Sequence, residues 1–296
     1  MDDLDLKAFR ILARNLHFAQ SAEELNLSPS ALTRRIQGIE EEIGQKLLLR
    51  KRGSISLTAA GKRLLEYSQQ HDLLYQTLIE DLREEEQQPS GELKIACTVT
   101  ACHSLLPSIL ASFRSRYPRI SLKLLTQDAH RSLEQLRAGE VDLAVIPTEG
   151  SQNEIFALKL SSTELSCIAP ISIAEPNAEK ERNDSSSFWK VSSWVAPLGG
   201  LERKKLDLWR RKVAPKSQLS AEVRGNEGII AMVSLGMGLA LVPELVLQNS
   251  PLKHRVRVLD LPDKPSGYDI SLCTMPNSLE RRVVRLFWES AGPSSQ

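Results

Sequence analysis

The stretch 28–36, Ser-Pro-Ser-Ala-Leu-Thr-Arg-Arg-Ile, constrains the fold of this chain more than any other segment. Serine caps helix N-termini through its side-chain oxygen, and proline suits the next position because the N–H that it lacks would have no partner there. Apolar side chains then recur at helical spacing and predict one buried face: Leu32, Ile36, Ile39 and Ile43.

The opposite face of this predicted helix carries hydroxyl, amide and guanidinium groups. Such groups match the donors and acceptors that base edges and phosphates present in a DNA major groove. Two shorter amphipathic segments around Phe9 and Ala22 precede it, and three small helices bury a core while leaving one helix free to enter DNA. The side chains predicted to contact DNA from this helix are Ser28, Ser30, Thr33, Arg34, Arg35 and Gln37.

A basic hairpin is predicted directly after this helix. Gly44 suits a helix end, and two short strand patterns, 47–50 and 55–57, flank a Lys-Arg-Gly-Ser turn sequence. Between residues 28 and 63 basic side chains outnumber acidic ones, although the net charge of the whole chain is only +1. Phosphate binding depends on local cation density. The hairpin therefore predicts further DNA contacts through Arg50, Lys51 and Arg52.

A long helix is predicted from Ala59 to about residue 87, followed by a Pro-Ser-Gly hinge at 89–91. Its apolar and aromatic side chains are spaced by three and four residues, which is the pattern of two helices packing side by side. We interpret it as a dimerisation helix; the alternative is an amphipathic helix folded onto its own domain. The predicted seam consists of Leu64, Tyr67, His71, Leu74 and Leu78.

Beyond Gly91 the pattern alternates between short apolar strands and amphipathic helices. Strand-like runs begin near Leu93, Ile120 and Val141, and a second series of the same kind runs from 193 to 242. Repeated strand–helix units predict a mostly parallel sheet with helices on its faces.

Composition excludes several classes of protein. The 296 residues are 41% hydrophobic and 25% charged, as in soluble proteins of two or three domains. No apolar run approaches the roughly 20 residues that a membrane helix needs, and the acidic start of the chain is not a secretory signal. The four cysteines are scattered without zinc-ligand spacing. These features predict a reduced, cytoplasmic protein with no metal site.

The helix and hairpin segments together resemble the winged helix-turn-helix of LysR-type transcriptional regulators. The resemblance lies in 27–36, Ile39-Glu40-Glu41, 47–50 and 57–61 (Leu-Thr-Ala-Ala-Gly), and it extends over nearly the whole chain. It implies an all-α winged helix-turn-helix plus a long linker helix, joined to a two-lobed α/β domain like that of periplasmic solute-binding proteins. The implied domains are DNA-binding 1–58, linker helix and hinge 59–90, and effector-binding 91–296, with lobe one at 91–162 and 268–296 and lobe two at 163–267.

The resemblance also implies partners and a ligand site. The partners are a double-stranded DNA operator, other copies of this chain in a dimer or tetramer, and RNA polymerase. Ligands of such sheets bind at the carboxyl ends of strands, beside helix N-termini that favour anions. Relatives contact effectors at the position of Thr100, for which the alternative role is helix capping. The predicted effector-binding residues are Thr98, Thr100, Ser104, Thr126, Gly199, Gly200, Arg203 and Asn226.

Within the family, several segments resemble the branch that activates acetohydroxy acid isomeroreductase in isoleucine–valine biosynthesis; they include 98–101, 104–107 and 241–244. This implies a transcriptional activator, and a co-inducer such as acetolactate or acetohydroxybutyrate instead of a cofactor. Four alternatives remain. They are a regulator of another pathway with a different small anionic effector, a two-lobed solute-binding module, a constitutive architectural DNA binder, and an enzyme using Cys97, Cys102 and His103. A thiol inside an apolar strand is usually packed and inert, so we expect no enzyme and no catalytic residues.

Overall fold

The computed structural model describes residues 1–51, 54–82, 88–150, 154–173, 189 and 192–292. The chain divides into two compact units, 1–83 and 84–296. No helix within these described residues is both long enough and apolar enough to cross a membrane.

In its described part the first unit consists of four helices and one hairpin. Its elements are α1 (Asp3–Asn15), α2 (Phe18–Glu24), α3 (Pro29–Ile43), β1 (Leu48–Lys51), β2 (Ser54–Leu57) and α4 (Ala59–Leu82). The two strands pair antiparallel, with Leu48 opposite Leu57. The predicted helices and hairpin are therefore confirmed, but the description all-α is wrong because the hairpin forms a small sheet.

The core of the first unit is built from the predicted apolar faces. Phe9, Leu12 and Leu32 are fully buried, and Ile36 and Ile39 join them. Two predicted apolar positions behave differently. Ile43, in the last turn of α3, is 40% exposed, whereas Leu64 of α4 packs into this core.

A polar contact fastens α4 to α1 within the first unit. The guanidinium of Arg10 donates to the carbonyl of Ser68 at 2.6 Å and pairs with the carboxylate of Asp72 at 2.9 Å. The start of α4 therefore belongs to the core of this unit, and its later turns extend beyond that core.

The second unit contains ten strands and seven α-helices in its described part. The strands are β3 (Gly91–Cys97), β4 (Ile120–Thr126), β5 (Leu143–Thr148), β6 (Phe156–Thr163), β7 (Leu165–Pro170), β8 (Ser193–Pro197), β9 (Gln218–Val223), β10 (Ala240–Pro243), β11 (Val256–Leu259) and β12 (Tyr268–Thr274). The helices are α5 (Val99–Ser104), α6 (Leu106–Arg116), α7 (Ala129–Arg137), α8 (Gly200–Val213), α9 (Asn226–Ser234), α10 (Glu244–Asn249) and α11 (Arg282–Ala291).

These strands form two lobes. In the first lobe a five-stranded sheet has the order β4-β3-β5-β12-β6. In the second lobe β10, β7 and β11 form an antiparallel sheet, and β8 pairs parallel with β9. The chain passes from the first lobe to the second between Thr163 and Leu165, and it returns between Leu259 and Tyr268.

The expectation of a mostly parallel sheet holds only for part of the second unit. Strands β3, β4 and β5 are parallel to one another, as are β8 and β9. Strand β12 is antiparallel to both of its neighbours, and β7 is antiparallel to β10 and β11. The difference arises because β7 and β12 are the strands by which the chain enters one lobe from the other, and not strands of helix-connected repeats.

Candidate DNA-binding face and effector cleft

Helix α3 begins as the sequence predicts. The hydroxyl of Ser28 accepts a hydrogen bond from the backbone N–H of Ala31 at 3.1 Å, and Pro29 occupies the first helical position. Gly44 ends the helix in the left-handed region, with φ at +74°. The capped start fixes the orientation of the side chains in the first two turns, where the predicted DNA contacts lie.

The exposed face of α3 carries four of the predicted DNA-binding side chains. Ser30, Arg34 and Gln37 are exposed, and Thr33 is half-buried with its hydroxyl donating to the carbonyl of Pro29 at 2.8 Å. Within the described part of the chain Arg34 takes part in no hydrogen bond or ion pair. Its guanidinium is therefore available to a base edge or a phosphate.

Arg35 points to a different surface from Arg34. Its guanidinium pairs with the carboxylates of Asp2 and Asp5 at the start of α1, and the side chain is 27% exposed. The hydrogen bond to Asp5 raises the pKa of Arg35 above its ordinary value. Arg35 thus connects α1 to α3, and its predicted DNA contact has no support from this placement.

The structure describes the hairpin only in part. Arg50 lies opposite Ile55 in the ladder, and Lys51 lies opposite Ser54. Arg52 falls outside the described residues. The predicted DNA contacts of these three residues therefore stay predictions.

Helix α4 presents an apolar stripe after it leaves the core. Leu74 and Leu78 are 64% and 52% exposed, and Tyr67 is 51% exposed. The ring of His71 lies 6.2 Å from that of Tyr67, and its Nε2 atom is 3.7 Å from a carboxylate oxygen of Asp3. Leu64, by contrast, is buried in its own unit, so the stripe left for a partner helix is shorter than the predicted seam.

A small cavity of about 30 Å³ lies between the two lobes of the second unit. Strand ends and helix starts of both lobes form its wall. Three of the predicted effector residues line it, namely Thr98, Thr100 and Asn226. The remaining lining residues are Ala101, Pro147, Glu202, Pro243, Leu245, Val246, Tyr268 and Ile270.

Two hydroxyl groups of the first lobe donate across this cleft to glutamates of the second lobe. The hydroxyl of Thr100 donates to Oε1 of Glu227 at 2.7 Å, and that of Tyr268 donates to Oε1 of Glu202 at 2.6 Å. Burial, followed by the neighbouring Glu202 carboxylate, raises the pKa of Tyr268 well above its ordinary value. Tyr268 is therefore a neutral donor that holds Glu202 in place. Thr98 accepts a hydrogen bond from the N–H of Ala101 at 3.2 Å and caps α5.

The other predicted effector residues are not part of the cavity wall. Ser104 donates to the carbonyl of Thr100 at 2.7 Å, Thr126 ends β4, and Gly199 and Gly200 begin α8. Arg203 is held by Asp207 and Glu222 and also donates to the carbonyl of Pro197. Its placement is that of an ion-paired helix side chain.

Glu202 and Tyr268 are parts of the cleft that the sequence patterns did not predict. Glu202 follows the Gly-Gly pair by two residues, and a carboxylate in the first turn of a helix was a usable signal. Nothing in the sequence near Tyr268 indicated a contact with α8, since 66 residues separate Tyr268 from Glu202.

The Cys97 thiol does not have the properties of a catalytic nucleophile. Cys97 is fully buried at the end of β3, and this burial raises the pKa of its thiol to about 12. A nucleophilic thiol requires the opposite shift. Within the described residues no group of three His, Cys, Asp or Glu side chains could hold a metal ion.

Comparison with known proteins assigns both units to one family. Residues 4–62 match the family described as bacterial regulatory helix-turn-helix protein, lysR family, and residues 86–294 match the LysR substrate binding domain. The chain belongs to the LysR family of transcriptional regulators. As a LysR-family regulator it is a DNA-binding protein with an effector-binding domain, and not an enzyme.

The LysR-family regulator has curated relatives over almost its full length. The HTH-type transcriptional activator IlvY of Salmonella typhimurium is 36% identical over 295 residues, which cover 98% of this chain and 99% of the relative. IlvY of Escherichia coli K12 is also 36% identical, with 98% of each chain covered. IlvY of Haemophilus influenzae is 34% identical and covers 97% of this chain and 99% of its own.

Solved structures of full-length LysR-family proteins share the fold of this regulator. A full-length variant of OxyR from Pseudomonas aeruginosa superposes with a TM-score of 0.66 at 18% identity and covers 98% of this chain and 94% of its own. Full-length CbnR in complex with its target DNA gives a TM-score of 0.59 at 20% identity, with coverage of 98% and 99%.

Proposed function

We propose that this LysR-family regulator activates a gene of branched-chain amino acid biosynthesis, that of acetohydroxy acid isomeroreductase, in response to acetolactate or acetohydroxybutyrate. The proposal rests on the 36% sequence identity that this chain shares with the IlvY activators over nearly its full length. The hydroxyl groups of Thr98 and Thr100 on the cleft wall support the ligand class. We also propose that the domain borders lie near residues 58 and 90.

The cleft as it stands is too small for such a ligand. The cavity of about 30 Å³ is much smaller than one of about 150 Å³, the size that holds a benzene molecule. An acetohydroxy acid therefore enters only if the lobes move apart or side chains withdraw. The ligand then shifts the protein between two arrangements by binding one of them more tightly.

The DNA complex is proposed to contain more than one copy of the chain. Dimers of small helix-turn-helix units bind half-sites about one helical turn apart, and each copy places one helix in the major groove. The exposed stripe of Tyr67, Leu74 and Leu78 on α4 supports pairing of two such helices, with tetramers formed from dimers. Contact with RNA polymerase would then convert effector binding into activation.

Footprinting on the region upstream of the isomeroreductase gene tests the whole proposal. We expect the full-length protein to protect a partly palindromic site, and acetolactate to change the pattern of protected positions. A protected site whose pattern responds to a different small anion would favour regulation of another pathway. No protection at any concentration that saturates control DNA would contradict the proposal.

Arg34→Ala is expected to weaken operator binding by roughly 1–3 kcal/mol if the guanidinium reads a base edge. Binding to random DNA of the same length should change much less. Titration of both DNAs by fluorescence anisotropy measures the difference. Lys7→Ala is the matched control, because Lys7 is an exposed cation of α1 and should leave the ratio of the two affinities unchanged. Equal losses on both DNAs for Arg34→Ala would limit Arg34 to phosphate contact.

Thr100→Val is expected to remove the response to acetolactate and leave operator binding intact. Valine has the shape of threonine but donates no hydrogen bond, and a hydrogen bond to a charged group contributes about 1.5–3 kcal/mol. Effector affinity should therefore fall at least tenfold, as measured by calorimetry. Ser108→Ala is the control, since its exposed hydroxyl only donates to the carbonyl of Leu105. Unchanged induction in Thr100→Val would exclude Thr100 from the effector site.

A further inference from the structure

The second lobe presents two helix starts of the same construction to the cleft. Helix α8 begins with Gly200, and helix α9 directly follows Gly225. Both glycines have a positive φ, +88° and +82° respectively. Each has a glutamate in its first turn, Glu202 and Glu227. A β-carbon built on either glycine would lie 3.5 or 3.6 Å from Oε2 of the glutamate two residues later. Each carboxylate therefore lies back over the start of its own helix.

A helix start is where an anionic ligand is favoured, because its first N–H groups lack partners within the helix. For α8 and α9 the described residues provide no side-chain cap. The carboxylates of Glu202 and Glu227 thus already occupy the region that an anionic effector would seek. Each carboxylate also accepts a hydrogen bond from a hydroxyl of the first lobe: Glu202 from Tyr268, and Glu227 from Thr100.

The two glutamates differ in how firmly they are held. Glu202 is half-buried and its donor, Tyr268, is 6% exposed. Glu227 is exposed, and its bond to Thr100 lies at the surface of the cleft. Moving Glu227 into water costs little, whereas moving Glu202 would leave the buried hydroxyl of Tyr268 without this acceptor.

Cations near the cleft are already paired with carboxylates. Arg224 contacts Asp128 at 2.8 Å, and Lys205 contacts Glu149 at 2.7 Å. Among the described residues that line the cavity there is no lysine or arginine. An effector carboxylate in this cavity therefore has the hydroxyl of Thr100 and the start of α9 as donors, and Glu227 already accepts the hydrogen bond of the Thr100 hydroxyl.

We propose that Glu227 is a competing internal anion that sets the affinity of the cleft for carboxylate ligands. In the effector-free protein its carboxylate accepts the hydrogen bond of the Thr100 hydroxyl and lies close to the start of α9. On binding, the ligand carboxylate replaces it there, while Glu202 stays with Tyr268 and accepts the ligand hydroxyl. The class of ligand selected is a small hydroxycarboxylate. The inference rests on the proposed function, because the acetohydroxy acids belong to this class.

Calorimetric titration of the full-length protein tests this proposal with two matched ligands. Acetolactate carries the carboxylate, and acetoin is the same molecule without it. In Glu227→Gln the side chain keeps an acceptor oxygen for Thr100 but loses its charge, so repulsion of an incoming anion falls. We expect acetolactate to bind about tenfold more tightly to Glu227→Gln than to the unaltered protein, and acetoin to bind both within twofold.

The control variant is Glu280→Gln, an exposed glutamate in a short 3₁₀ turn that is not part of the cavity wall. It should leave both affinities unchanged. Equal or weaker acetolactate binding by Glu227→Gln, or the same gain for acetoin, would overturn the proposal.

Failure of the ligand assignment gives a different result from failure of this inference. If the unaltered protein binds no acetolactate, the proposed effector is wrong, and lactate then serves as the probe because it keeps the carboxylate and the neighbouring hydroxyl. The same gain of about tenfold for lactate in Glu227→Gln would support the role of Glu227. No binding of lactate to either protein would overturn it.

Discussion

Gly61→Ala is expected to destabilise the DNA-binding unit by about 3 kcal/mol, at the upper end of what overpacking usually costs, and so to abolish operator binding at moderate temperature. A β-carbon at residue 61 would lie 2.2 Å from the carbonyl oxygen of Leu47 and 3.1 Å from its carbonyl carbon. Both atoms belong to the backbone, so no side-chain rotation relieves the clash.

The surroundings of Leu47 prevent an easy shift of this carbonyl. Its oxygen accepts the N–H of Thr58 at 2.9 Å, and the N–H of Leu47 donates to Glu40 at 2.9 Å. The N–H of Gly61 itself donates to the hydroxyl of Thr58 at 2.9 Å. Moving α4 away from the hairpin would break several of these bonds, and each contributes about 1 kcal/mol.

The four tryptophans make this prediction measurable by two signals. All four lie between residues 189 and 288, so their fluorescence reports unfolding of the second unit, whereas helical circular dichroism reports both units. Gly61→Ala should move part of the dichroism transition to lower urea and leave the fluorescence transition in place. Gly38→Ala is the control, because nothing lies within 4 Å of its β-carbon position and alanine favours a helix by up to about 1 kcal/mol. Equal stability of the two variants would contradict the steric argument.

Asp142→Asn is expected to destabilise the effector-binding unit by roughly 3–5 kcal/mol, the usual cost of removing one partner from a buried ion pair. The carboxylate of Asp142 pairs with Arg281, and the two side chains are 13% and 8% exposed. Its other oxygen accepts the N–H of Lys94 at 2.8 Å, and Arg281 also donates to the carbonyl of Glu92 at 2.9 Å. Asparagine removes the negative charge and turns one acceptor into a donor.

Asp142→Asn should change the tryptophan fluorescence transition, which Gly61→Ala leaves in place. The fluorescence transition in urea should move to lower concentration, because the pair joins β3 and the segment before β5 to the start of α11. Asp263→Asn is the matched control: its partner Lys212 lies at 3.1 Å, and the side chains are 60% and 72% exposed. An exposed pair contributes about 1 kcal/mol or less. A similar small effect for both variants would show that burial does not strengthen the Asp142 contact.

Sequence reasoning succeeded where chemistry acts within a few residues. The capping serine at 28, the proline after it and the glycine at 44 fixed the ends of α3, and the alternation of charge and apolar residues fixed its faces. The sequence-based predictions failed where contacts between residues far apart in the chain decide the structure. The strand–helix pattern predicts no strand at 165–170, yet this run forms β7, the fully buried central strand of its sheet.

In the cleft, too, local features were predictable from the sequence and contacts between distant residues were not. Thr98 and Thr100 could be placed by their position between a strand and a helix, and both line the cavity. Arg203 looked equally suited to an anion, but Asp207 and Glu222 hold it away from the wall. Similarly, Arg34 and Arg35 are adjacent in sequence, and only the fold shows that Arg35 is used by Asp2 and Asp5.

The sequence by itself determined the family, the helices of the first unit and the polar face of α3, because capping and helical periodicity are local properties of the chain. Only the tertiary structure decided which charges are neutralised and which carboxylates face Thr100 and Tyr268. Those pairings join residues 66 and 127 positions apart, and no local pattern encodes a contact over such a separation.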